Sequence, residues 1–221
     1  MRPEQHLPEG YDVVALASSA GGIQALQVVL GALGGDLPVP VLVVQHLDRR
    51  HPTILDRVLA RATALTVKLA EDGEPIEAGT VYLAPPDRHI LAGPSGHLGL
   101  SSSERVHFLR PSADLLFVSV AEAYGPRAIA CVLTGTGADG AIGVGAVKSH
   151  GGIVIAQDPA TAAFDGMPRA AVTTGAVDFV LPLSEIGAAI STLVTKTSDV
   201  SHELTASSRP VAEGTSRRRA D

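Results

Sequence analysis

The chain contains a single cysteine, no tryptophan, and aromatic residues at only 3%. One cysteine excludes a disulfide within the chain and suits a reducing compartment. That residue, Cys131, lies inside the apolar run AIACVLTG and reads as core rather than as a nucleophile. With so few aromatics, the core has to be built from Val, Leu, Ile and Ala. An excess of positive charge is missing too: the formal net charge is -6. A nucleic-acid surface ordinarily needs a basic footprint, and only Arg217, Arg218 and Arg219 at the far end offer one. No apolar stretch approaches the ~18 residues of a membrane span. The opening MRPEQHLPEG has no apolar signal-peptide centre. These absences describe a cytoplasmic protein without nucleic acid and without membrane insertion.

What is present is enough for one sizeable domain: 221 residues, 45% of them hydrophobic. Residues 1–10 are polar and read as a short leader. Residues 11–195 alternate apolar runs with helical patterns. From 196 to 221 the sequence is rich in Ser and Thr without apolar periodicity, the composition of a disordered tail. Within the domain, DVVALA (Asp12 to Ala17) and VPVLVVQ (Val39 to Gln45) are continuous apolar runs, as in strands covered on both faces. GGIQALQVVLGAL follows the first with Ile23, Leu26, Leu30 and Leu33 at helical spacing. PTILDRVLARA places Pro52 in a first helical turn, with Ile54, Leu55, Val58 and Leu59 on one face. TVKLAE is a third strand. The Gly- and Pro-dense segment from Glu71 to Ser101 predicts antiparallel hairpins. PSADLLFVSVAEAYG is a helix that Ser112 is placed to cap and Gly125 to stop. Strand and helix then alternate to the end of the domain. The pattern specifies an α/β fold: a doubly wound, mainly parallel sheet with helices on both faces and a small antiparallel hairpin insert.

In such sheets the functional groups gather at the carboxyl ends of strands, near a switch in strand order. The first strand ends at Ser18 and Ser19, the second at Gln45 and His46, and AIACVLTG runs into GTGADG, which holds Asp139. Serine, histidine and aspartate are the three parts of a hydrolase triad. The residues taken singly leave plainer roles open. The serines could form a tight corner before Gly21 and Gly22, His46 a surface hydrogen bond, and Asp139 a cap on the following helix. GTGADG also fits G-x-G-x-x-G, with Asp158 as a distant acid, so Gly135 to Gly140 could form a dinucleotide loop. His46 and His51 fit no metal-ligand spacing, and no metal is expected.

Together these segments resemble the catalytic domain of the chemotaxis protein-glutamate methylesterases, the CheB family, over roughly residues 11–195. SSAGGIQAL is similar to the family's nucleophile turn and VLVVQHL to its Gln-His strand end. AEDGEPIEAGTVYLAPPDRHI, RPSADLLF, VLTGTGADGA and FDGMPRAA are similar to four further family segments in the same order. The resemblance implies a serine esterase without cofactor. Ser19 would be its nucleophile, His46 its base and Asp139 its orienting acid. It implies hydrolysis of glutamyl methyl esters on the cytoplasmic helices of methyl-accepting chemoreceptors, and glutamine deamidation in some members. Ala20 stands where the family commonly has Thr, Thr136 where Met is usual, and Asp48 where Pro is usual. Backbone N–H groups at Ala20 and Thr136 are candidates for an oxyanion site. Arg110 either shapes the substrate cleft or makes a structural ion pair. Fuller family members carry a receiver domain. Only ten residues precede the first strand here, so the expectation is either an ungated enzyme or one gated by a separate receiver or kinase protein. Two other classes remain: a receptor- or kinase-docking module with vestigial activity, and a dinucleotide-binding enzyme.

Overall fold

A computed structural model describes residues 10–47, 53–93 and 95–207. Seven strands form one parallel sheet: β1 (Val13–Ser18), β2 (Val41–Gln45), β3 (Thr66–Leu69), β4 (Thr80–Leu83), β7 (Ala128–Val132), β8 (Ile153–Gln157) and β9 (Phe179–Leu181). Their order is β3-β4-β2-β1-β7-β8-β9. A separate antiparallel pair, β5 (His89–Ala92) and β6 (Leu98–Ser101), is the hairpin insert. The helices are α1 (Gly22–Gly31), α2 (Leu55–Leu59), α3 (Ala113–Tyr124), α4 (Ala141–Ser149), α5 (Gly166–Thr173) and α6 (Leu183–Ser207).

The central strands are buried on every residue and apolar except at the carboxyl ends of β1, β2 and β8, because both faces are covered. Along β1, Val14 and Leu16 point into one core with Leu26 and Leu30 of α1 and Ile186 and Ile190 of α6. Val13, Ala15 and Ala17 point into the other, with Phe117 of α3, Val144 of α4 and Met167 of α5. The alternation follows from the strand's two-residue period. Cys131 belongs to the first core and is fully buried. Burial pushes its thiol well above its usual range, so it stays a neutral apolar filler.

The chain winds outward from β1 through β2 and then returns to β7 on the other side of β1. That reversal opens a crevice at the carboxyl ends of β1 and β7.

Two local expectations are corrected. The Glu71–Ser101 segment is not all hairpin: β4 is a fully buried parallel strand between β2 and β3, and only β5 and β6 pair antiparallel. Ile54 is 63% exposed at the N-cap of α2, whereas Leu55 and Leu59 are buried. α6 runs on to Ser207, past its last core residue Val194 and over the start of the segment that the sequence reads as a tail. The expectations for the leader, Asp48, His51, Pro52 and the terminal arginines fall on residues 1–9, 48–52 and 208–221, outside the described residues.

Candidate active site

The two serines that end β1 have different surroundings. Ser18 is fully buried, and its Oγ donates to Gln45 Oε1 at 2.7 Å. Ser19, one residue on, lines an open cavity of about 550 Å³ together with Gly22, Ile23, Gln45, His46 and Leu47. The alternation of a strand accounts for the difference: consecutive side chains face opposite ways. Gln45 fastens this corner. Its Nε2 donates to the carbonyls of Ser19 and His46, both at 2.9 Å. The backbone N–H of His46 donates to Ser18 O at 3.1 Å. The candidate nucleophile and base thus share one hydrogen-bonded frame at the ends of neighbouring strands.

The turn after Ser19 needs its two glycines. Gly21 has φ +75°, where side chains are strained. A Cβ on Gly22 would lie 2.1 Å from Gln45 Oε1 and 2.7 Å from Ser18 Cβ.

The loop after β7 closes the corner from the other side. Ser19 N–H donates to Thr134 O at 3.0 Å, and Thr134 Oγ1 donates to Ala20 O at 3.0 Å. A Cβ on Gly135 would meet Met167 Sδ at 2.2 Å and Ser19 Cβ at 2.8 Å. Ala20 is half-buried and Thr136 is exposed. Among the described residues, neither backbone N–H donates a hydrogen bond.

Asp139 follows in the same loop, with its side chain 1% exposed. Its Oδ2 lies 2.9 Å from His46 Nε2 and accepts the Ala113 N–H at 2.7 Å. Its Oδ1 accepts Ser112 Oγ at 2.9 Å and the Asp114 N–H at 3.1 Å. Burial alone would raise its pKa. Hydrogen bonds from His46 and from the Ala113 and Asp114 amides outweigh it and hold the carboxyl below its usual range. An ionised carboxylate only accepts, so His46 Nε2 carries the shared proton and Nδ1 is left bare.

Two capping expectations change here. Asp139 does not cap the helix that follows it; it caps α3, whose first N–H groups it accepts. Ser112 sits at the N-cap of α3 but makes no side-chain cap bond, because its hydroxyl is turned to Asp139. Behind Ser112, His89 is fully buried. Its Nδ1 accepts the Ser112 N–H at 3.1 Å, and its Nε2 donates to Glu104 O at 3.2 Å. Burial lowers the pKa of this ring, which keeps it neutral and in that tautomer.

Arg110 makes an ion pair with Asp87. Its Nε and Nη2 bind both oxygens of Asp87, at 3.1 and 2.8 Å, and its Nη1 donates to Ser102 O and Ser103 O. The guanidinium holds the Asp87 carboxyl below the usual range. Of the two roles open to Arg110, these bonds are those of the ion pair, which ties the 102–110 loop down beside α3.

GTGADG is not shaped as a nucleotide loop. The place a phosphate would take at the start of α4 holds a carboxylate: Asp114 Oδ1 accepts the Gly143 N–H at 2.8 Å. Asp158 is engaged locally, accepting the Ala160 N–H at 2.9 Å. The roles of Gln45, His89 and Asp114 escaped sequence reasoning. The one available signal was a polar residue embedded in otherwise apolar segments.

Comparison with known proteins gives the family. The sequence profile described as CheB methylesterase matches residues 14–190. A putative protein-glutamate methylesterase/protein-glutamine glutaminase of Leptospira interrogans is 39% identical over 176 residues, covering 80% of this chain and 91% of that one. The protein-glutamate methylesterase/protein-glutamine glutaminase 1 of Paramagnetospirillum magneticum is 44% identical over 183 residues, 81% of this chain and 48% of its own length. Protein-glutamate methylesterase FrzG of Myxococcus xanthus is 43% identical, covering 83% of this chain and 55% of its own. This chain therefore spans about half the length of several curated relatives. Among solved structures, the CheB methylesterase catalytic domain of Thermotoga maritima superposes with a TM-score of 0.80 at 37% identity, covering 84% of this chain and 100% of that one.

Proposed function

Since the chain belongs to the CheB methylesterase family, we propose that it is a serine hydrolase that removes methyl esters from glutamyl side chains of chemoreceptors. Deamidation of receptor glutamines is the companion reaction of the same site, with ammonia leaving in place of methanol. The observation that carries the reading is the 2.9 Å contact of His46 with the buried Asp139, on the cavity that Ser19 lines.

The chemistry follows from the proton positions. Asp139 holds the Nε2 proton of His46, which leaves Nδ1 to take the proton of Ser19. As it does, Ser19 Oγ bonds to the ester carbonyl carbon. The N–H groups of Ala20 and Thr136, which make no hydrogen bond among the described residues, are the proposed oxyanion donors, a kind of contact worth ~10²-fold or more in rate. The carbon–methoxy bond then breaks, and methanol leaves with the proton from His46. Water, deprotonated by His46, attacks the acyl-serine and frees the glutamate. Asp139 stays ionised throughout and orients the ring. No step requires a cofactor. The macromolecular substrate is a cytoplasmic receptor helix, and a receiver or kinase protein is a proposed partner.

Methanol release from a methyl-esterified receptor fragment tests the reading. Ser19→Ala is expected to lower kcat by about 10⁴-fold or more. Ser18→Ala, which loosens the Gln45 frame but keeps the nucleophile, retains measurable turnover. Unchanged release by Ser19→Ala would overturn the assignment.

A further inference from the structure

The triad acid is aimed by an exchange between two helix starts. Asp139 immediately precedes the N-cap of α4, yet its carboxylate accepts the first N–H groups of α3, those of Ala113 and Asp114. Asp114, in the first turn of α3, returns the contact: its Oδ1 accepts the Gly143 N–H in the first turn of α4. Each helix start is thus capped by a carboxylate belonging to the other. The exchange is possible because the helices approach closely at Gly143, where a Cβ would lie 2.6 Å from Phe117 Cβ and 3.0 Å from Asp114 O. Ser112 completes the frame. It has the position, residue type and extended backbone of a self-capping N-cap, φ -117° and ψ 133°. It gives its hydroxyl to Asp139 Oδ1 instead, while His89 holds its N–H from behind.

We propose that this reciprocal cap positions the catalytic acid, with Ser112 and Asp114 as positioning residues for the reaction. Three donors from the start of α3 fix the rotation of the Asp139 carboxylate, so that Oδ2 faces His46 Nε2. The partial positive charge at that helix start favours its ionised form. Asp114 holds the α4 end of the loop that carries Asp139. Neither residue lines the cavity, so both act through Asp139 and not on substrate. This role rests on the hydrolase reading above.

The test compares kcat and KM for methanol release in wild type, Ser112→Ala, Asp114→Ala and Asp114→Asn, with folding checked by thermal melts. Ser112→Ala and Asp114→Ala are expected to lower kcat about tenfold or more through misplacement of the acid. KM should stay within about twofold, because substrate contacts are untouched. Asp114→Asn keeps an acceptor for the Gly143 N–H and should rescue kcat; a purely electrostatic role for Asp114 would not allow that rescue. Should Asp114→Ala fail to fold, Ser112→Ala and Asp114→Asn decide the matter. Wild-type kcat in Ser112→Ala, or a loss in Asp114→Asn as large as in Ser112→Ala, overturns the positioning role. If the wild type turns over and Ser19→Ala does not, such results leave the hydrolase reading standing. A wild type that releases no methanol overturns both.

Discussion

Ser18 and Ser19 are adjacent and chemically identical, yet one is fully buried against Gln45 and the other faces the cavity. Asp114 and Asp139 form a second contrasted pair. Asp139 is held below the usual carboxylate range by its donors, whereas Asp114 is raised, first by burial and also by the charge of Asp139. Its Oδ2 has no partner. A carboxyl raised in the folded state binds its proton more tightly there than in the unfolded chain. Its contribution to stability is therefore complete below the unfolded value and is lost as pH rises through the folded one. An amide at this position does not ionise. Asp114→Asn is expected to melt at a higher temperature than wild type near neutral pH, with the gain shrinking toward about pH 4. Thermal melts across that range check it; a pH-independent difference would contradict it. The sequence placed Ser18 and Ser19, His46 and Asp139 just past three apolar runs, and the family resemblance chose Ser19 between the two serines. It did not reveal Asp114 or His89, whose partners lie 29 and 23 residues away.

At the scale of elements, the β1–α1 corner is a fit between a glycine and the Gln45 side chain. Gly22→Ala would drive a methyl group into Gln45 Oε1 and Ser18. It is expected to destabilise the fold by about 1–3 kcal/mol and to lower kcat as the corner shifts. Gly145→Ala in α4, where a Cβ meets nothing within 4 Å, serves as the control. It should be neutral or stabilising by about 0.5–1 kcal/mol. Denaturant titrations of both variants measure the difference, and equal effects would refute the argument. The strands and helices of both halves were legible from apolar runs and helical spacing. β4 was not. It is only four residues long and sits between Gly79 and Pro85, which punctuate it like a hairpin arm. Its burial on both faces comes from pairing with β2 and β3, which local sequence does not encode.

At the scale of the whole molecule, function follows from strand order. β1 at the centre of the sheet separates two cores, and the chain's reversal around it brings the ends of β2 and β7 to either side of Ser19. The sequence predicted that the three candidate residues share one sheet edge. It could not give the order of the strands, because parallel pairing is non-local. Nor could it show that α3, starting beside that edge, supplies three of the four donors to Asp139. The proposed hydrolysis requires Ser19 to be a nucleophile activated by His46 and Asp139. The most direct measurement is peptide mass mapping after reaction with a serine-directed fluorophosphonate. One adduct is expected at Ser19 in wild type and in Ser18→Ala, slowed in Asp139→Asn and absent in Ser19→Ala. An adduct at Ser18, or none in a wild type that releases methanol, would contradict it.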